Sequence, residues 1–244
     1  MKPITLSVKR DGFRVDQPDP QKGLAEFNEA KLKLKERDYG KCKYCDFTAE
    51  KYQEVHHVDD NHENNDLDNL DTACTLCHMC FHIGYAGISN RGVLIYCEEG
   101  KRIPNFQAKL NNIVRVLWAA TACGDTIIQN NALDYLKRLE NLRVSAMEVI
   151  GTSDPIFLGN YLRDLSEEDY GKRKEKLDGI FLLPLKDGYP NHIKYWSNLI
   201  LKKQTIQSSE EIAEESSFEW LKFEELPQNF QQLKQFLEKQ VKDK

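Results

Sequence analysis

The chain has 244 residues, 40% hydrophobic and 30% charged, the balance of a globular protein long enough to bury a full core. Its net charge of −5 argues against a general nucleic-acid binder. No apolar run approaches the ~20 residues that cross a bilayer, so no direct membrane insertion is expected, and the opening Met1-Lys2-Pro3-Ile4-Thr5 lacks the apolar stretch of a signal peptide.

Ile4, Leu6 and Val8 alternate with polar residues, and Phe13 and Val15 follow Asp11-Gly12, which predicts an opening β-hairpin. After Pro18 and Pro20, the spacing of Leu24, Phe27, Ala30 and Leu34 predicts a helix ending near Gly40. Lys31, Lys33, Lys35, Arg37, Lys41 and Lys43 lead into the first CxxC with only Glu36 and Asp38 among them. They read as a solvated face, with phosphate contact as the alternative. The cysteine–histidine block 42–82 follows. Gly84, Gly87 and Gly92 then mark a loop, and Val93-Leu94-Ile95-Tyr96-Cys97 a short buried strand.

Beyond about 105 the period turns helical. Leu110, Ile113, Val114 and Leu117 predict one helix, and Leu136, Leu139, Leu142 and Ala146 another that stops at Gly151. Ser153-Asp154-Pro155 can cap the next, and Ile193, Trp196 and Ile200 mark a later one. The polar, acidic stretch 204–217 reads as a linker, and Phe230, Leu233 and Leu237 as a final amphipathic helix. The expected layout is an α+β zinc-binding module over 1–100, a helical region over 101–203, and an acidic linker with a C-terminal helix over 204–244.

Five of the seven cysteines and five of the six histidines fall within 42–82, which places the chemistry there. Cys42-x2-Cys45 and Cys74-x2-Cys77 have the spacing of a four-thiolate structural zinc site, each pair supplying two sulfurs from one tight turn. Such pairs without a signal peptide favour Zn²⁺ in a reducing cytoplasm over disulfides. Cys80 also stands in a CxxC with Cys77 and could replace it as a ligand. Cys97 and Cys123 read as buried core residues.

The histidines suggest a second site. If a helix starts near Cys77, His78 and His82 face the same way and can grip one ion. A third ligand can come from the Val55-His56-His57-Val58 strand, where neighbours point to opposite faces, so one of His56 and His57 would bind metal and the other reach for substrate. Asn69 could orient that free histidine, Asn65 would shape the loop, and His62 would be solvated. Three protein ligands with open positions are the arrangement of a catalytic metal, beside which a histidine can activate water.

The block His56-His57, Asn65-x3-Asn69, His78-x3-His82, framed by the two CxxC pairs, resembles the HNH, or ββα-metal, nuclease fold over roughly 35–85. That resemblance implies His56, His78 and His82 as ligands of a divalent ion (Mg²⁺, Mn²⁺, Ni²⁺ or Zn²⁺), His57 as general base, Asn69 as the motif asparagine, and DNA as partner. Over more of the chain, Thr72-Ala73-Cys74-Thr75-Leu76-Cys77-His78-Met79-Cys80-Phe81, Leu94-Ile95-Tyr96, Gly151-Thr152-Ser153-Asp154-Pro155 and Leu182-Leu183-Pro184 resemble the IcmJ/DotN family of type IVB secretion coupling-complex components. That second resemblance implies a non-catalytic zinc-binding adaptor whose helical region meets protein partners. Because the full histidine set is kept, a metal-dependent DNA endonuclease is the leading expectation and the adaptor its alternative.

Overall fold

A computed structural model describes residues 1–9 and 24–207. They divide into two compact units, Met1–Ser89 with Asp154–Asp178, and Asn90–Ser153 with the chain from Gly179. Both mix helices with a small antiparallel sheet of two strands, so the α+β expectation holds.

In the first unit, helix α1 (Leu24–Asp38) is laid down by the expected apolar spacing, with Glu26 in its first turn and Lys35 and Arg37 in its last, where they suit the helix dipole. Ala30 and Leu34 pack with Leu70, Val55 and Leu67 to form a small core against the sheet. The chain leaves α1 through left-handed backbone at Tyr39 and Gly40 (φ 50° and 69°). A Cβ at Gly40 would lie 2.5 Å from the Ala49 carbonyl oxygen, so only glycine fits. Strands β1 (Gln53–His57) and β2 (Leu70–Cys74) pair from Gln53↔Cys74 to His57↔Leu70. Helix α2 (Thr75–Met79) follows β2 without a loop, and α3 (Ile83–Ile88) comes next.

Gly84 and Gly87 therefore lie inside a helix, not in the expected loop. The reason is tertiary. Helix α6 (Pro155–Asp164) approaches so closely that a Cβ on its Gly159 would sit 2.8 Å from the Gly84 Cα, and one on Gly87 would sit 2.6 Å from Ile156 Cγ1. Asp154 caps α6 by accepting from the Ile156 N–H, with Pro155 at the first turn, as expected. The short helices α7 (Glu167–Gly171) and α8 (Arg173–Lys176) complete this unit.

The expected N-terminal hairpin is not formed by residues 4–8, and its second arm at Phe13 and Val15 lies outside the described residues. Leu6 and Val8 are buried, but among the described residues the segment has no strand partner. Its backbone bonds the Cys80 carbonyl and the Ile83 N–H through Ser7, and the Tyr170 hydroxyl through Val8. The alternating pattern thus records one-sided burial without a ladder.

In the second unit β3 (Gly92–Tyr96) pairs with β4 (Ile180–Pro184). Helices α4 (Phe106–Ala120), α5 (Thr126–Ile150) and α9 (Pro190–Gln207) surround a core that includes Trp118, Tyr189 and Trp196. Gly151 ends α5 in left-handed backbone (φ 75°), as its position predicts. The expected linker at 204 starts too early, because α9 runs to Gln207; the final helix expected at 230–237 lies outside the described residues. Among the described residues no helix is long and apolar enough to cross a membrane.

Gly40→Ala is expected to destabilise the protein by more than about 1 kcal/mol, since it adds a clash to an unfavourable φ. Denaturant unfolding at matched zinc occupancy measures the loss.

Candidate metal centres

Cys42 and Cys45 lie on the turn after α1, Cys74 ends β2, and Cys77 sits on α2. All four are buried, with their sulfurs within 4.8 Å of one another. The Cys45 and Cys74 sulfurs are 3.6 Å apart, close to the ~3.8 Å edge of a tetrahedron with Zn–S bonds of about 2.3 Å. The turn is closed by backbone bonds from Asp46 N–H to the Cys42 carbonyl and from Cys42 N–H to the Phe47 carbonyl. Contacts with Cys45 and Cys74, aided by burial, push the Cys42 thiol far above its ordinary range, and burial followed by its cysteine neighbours does the same to Cys77. Four thiolates cannot share this space without a cation. The cluster thus has the donor set and spacing of a structural zinc site. Cys80 stands outside it, its thiol donating to the Leu76 carbonyl one helical turn back. Cys97 is buried as expected, but Cys123 is only half-buried.

Asp38 ties this turn to the sheet. Its buried carboxylate accepts from the Arg37 guanidinium (2.8 Å), from Lys43 Nζ (2.6 Å) and from the Thr72 N–H (3.3 Å). Burial by itself would raise this carboxyl, but the bonds from Arg37, Lys43 and Thr72 outweigh it and hold the group well below its ordinary value.

His56, His78 and His82 bring three ring nitrogens within 4.8 Å of one another. The Nε2 atoms of His78 and His82 are 3.2 Å apart, near the ~3.3 Å expected between two imidazole nitrogens on one tetrahedral zinc-sized ion. The route to this pairing differs from the expected shared helix. Helix α2 ends at Met79, and His82 occupies the junction before α3 with φ −133° and ψ 49°. A turn closed by the His82 N–H on the Met79 carbonyl returns the ring to His78. His56 stacks on Phe81 at 4.1 Å, and burial, reinforced by neighbouring His78, lowers its pKa to about 3. It is therefore a neutral ring with a free lone pair. Glu54, two residues earlier on β1, accepts a hydrogen bond from His78 Nδ1. Sequence reading missed Glu54, although the strand's period of two places it on the His56 face.

His57 points to the opposite face. Its ring stacks on Phe27 of α1 at 5.9 Å and tilts against His62 at 4.9 Å, so His62 is half-buried and not the solvated residue expected. Its Nε2 lies 3.3 Å from Asn65 Oδ1; with that oxygen accepting, Nε2 carries the proton and Nδ1 the lone pair. Burial lowers the His57 pKa, with the Asn65 bond opposing it. The two asparagines have exchanged their expected places. Asn69 accepts from the Asp59 N–H and donates to the Asp59 carboxylate and the Asn64 carbonyl, bracing the loop, while Asn65 meets the histidine.

No family model matches the chain. It is 30% identical to the type 4 apparatus protein DotN of Legionella pneumophila subsp. pneumophila (strain Philadelphia 1) over 181 residues, 72% of this chain and 82% of that protein. The chain belongs to the DotN family.

In this DotN-family member the surface near His57 is mixed in charge, with Lys9 acting on the ring. An open groove between α1 and the 63–67 loop is lined by Glu26, Glu29, Glu63 and Asp66 with Lys33, and Lys33 is paired with Glu29 at 2.6 Å. Of the basic stretch, Arg37 and Lys43 serve Asp38, and Lys41 pairs with Asp46 at 3.2 Å. Arg91, in the other unit, lies over the Tyr189 ring.

Cys77→Ser is expected to drop bound zinc from one ion per chain to near zero and to unfold the first unit, since such sites contribute roughly 10–16 kcal/mol. Elemental analysis with circular dichroism checks this. Asp38→Ala should cost about 2–4 kcal/mol at pH 7, less than a wholly buried pair because Arg37 and Lys43 stay 35% and 36% exposed. Because the folded-state pKa is lowered, this stabilisation is complete above the unfolded value of about 4 and fades as pH falls through the folded one. The gap between the unfolding free energies of wild type and variant should therefore narrow below pH 4.

Proposed function

We propose that this protein is a zinc-stabilised adaptor subunit of a type IV secretion apparatus, working on the cytoplasmic side. The single observation that carries the reading is its identity with DotN across most of that protein's length. The buried four-thiol cluster supports a structural role for zinc. The acidic groove and the pairing of Lys33, Arg37, Lys41 and Lys43 with neighbouring carboxylates favour a protein partner over DNA. Affinity purification of the tagged full chain from its own cells should co-purify a type IV secretion component in fixed ratio. If none is enriched, while the bait is folded and zinc-loaded, the adaptor reading fails.

A second reading rests on the three converging imidazoles, which favour a divalent metal and, with the strand–strand–helix order β1-β2-α2, an HNH-type (ββα-metal) nuclease site. His56, His78 and His82 would hold the ion, which when bound supplies charge stabilisation at a phosphodiester. His57 would take a proton from water at Nδ1, with Asn65 fixing its tautomer and Asn69 bracing the loop. Plasmid nicking with Mg²⁺, Mn²⁺, Ni²⁺ or Zn²⁺ tests it. His57→Ala should lower the rate by about 10²–10⁴-fold; equal nicking by wild type and variant, or none by either, would sink this reading.

A further inference from the structure

We propose that Glu54 is a positioning residue for a divalent transition-metal ion, fixing the His78 tautomer that turns its Nε2 lone pair toward His56 and His82. The inference rests on the three-imidazole metal reading and adds a residue to it. Glu54 sets a carboxylate against the histidine cluster: its Oε2 accepts from His78 Nδ1, and its Oε1 lies 3.4 Å from the buried Thr75 hydroxyl. Thr75 in turn reaches the Tyr52 carbonyl at 3.2 Å, so the carboxylate is held between β1 and α2.

The consequence follows from imidazole chemistry. A neutral ring carries one proton, and the nitrogen without it is the metal donor. In the neutral ring, with Nδ1–H committed to Glu54, the His78 Nε2 presents its lone pair, and the His82 Nε2 faces it at 3.2 Å. With His78 Nε2 accepting, His82 Nε2–H is the donor across this gap before an ion enters. A cation there takes the place of that proton, which returns to His82 at Nδ1 through solvent. A carboxylate behind a ligating histidine also raises its basicity, and loss of such a partner weakens metal binding by about 10–100-fold. Alternation along β1 explains the arrangement, since Glu54 and His56 share one face while Val55 and His57 share the other.

The test uses the full-length, zinc-loaded chain titrated with Ni²⁺ by calorimetry, and the Ni²⁺-free chain observed by ¹⁵N NMR of the histidine rings. Wild type should bind one equivalent of Ni²⁺ and show His78 in the Nδ1–H form. Glu54→Ala should weaken Ni²⁺ binding 10–100-fold and mix the His78 tautomers while keeping one zinc per chain. Glu54→Gln, which retains a carbonyl oxygen to accept the proton, should recover most of the affinity and the tautomer. A wild type that binds alongside a Glu54→Ala chain of equal affinity and unchanged tautomer overturns the role of Glu54 alone. A wild type that takes up no Ni²⁺ overturns the three-imidazole reading and this proposal with it.

Discussion

Four sulfurs drawn into one buried space fix the geometry of the first unit. Cys42 and Cys45 stand just past α1, Cys74 ends β2, and Cys77 lies on α2, so an ion held by the four thiols would join three segments. The sheet itself is two strands of five residues, and such a hairpin is marginal alone in water. The associated apolar core of α1 and β2 is small. Zinc binding of this type contributes roughly 10–16 kcal/mol, comparable with the about 5–15 kcal/mol net stability of a whole domain. An ion bound by these thiols would therefore outweigh any single packing contact here.

The second constraint is the pleat of β1. Neighbouring residues on a strand project to opposite faces, and this alone separates two adjacent histidines into two environments. His56 joins His78, His82 and Phe81 on the α2 side, whereas His57 meets Phe27, His62 and Asn65 on the α1 side. One face collects three imidazole donors, two of them buried. The other holds His57 with His62 beside a polar loop whose outer edge is acidic. The same two-residue motif thus supports metal binding without, by itself, delivering a nucleic acid to it.

Features set by local spacing were legible in the sequence. The CxxC pairs, the apolar periods of α1, α4 and α5, the Gly151 stop and the Asp154-Pro155 cap all depend on residues within a few positions of each other. What escaped depends on contacts distant in the chain. Gly84 and Gly87 resemble loop punctuation until Gly159 and Ile156 close on them. Asn65 and Asn69 are chemically alike, and only the folded loop decides which reaches His57. Glu54 could have been found from the strand period, but a lone glutamate in a charged chain gives no reason to look. Phosphate contact by the basic run from Lys31 to Lys43 stayed open because Asp38 looked like an interruption of the run and Asp46 lies beyond it, whereas in the fold both are its counter-ions.

The two candidate centres are not independent. Cys77 and His78 are consecutive residues of α2, a helix of five residues. An isolated helix shorter than about 12–15 residues is marginal in water, so α2 takes its order from what grips it. Cys74 and Cys77 grip one side; Thr75 and His78 meet Glu54 on the other. Zinc at the thiols consequently precedes a well-placed His78, and any ion at the imidazoles is conditional on it. This dependence holds for an adaptor and a nuclease alike. It also explains how both readings can rest on one short stretch: the cysteines supply the fold, and the histidines use the helix that the cysteines hold in place.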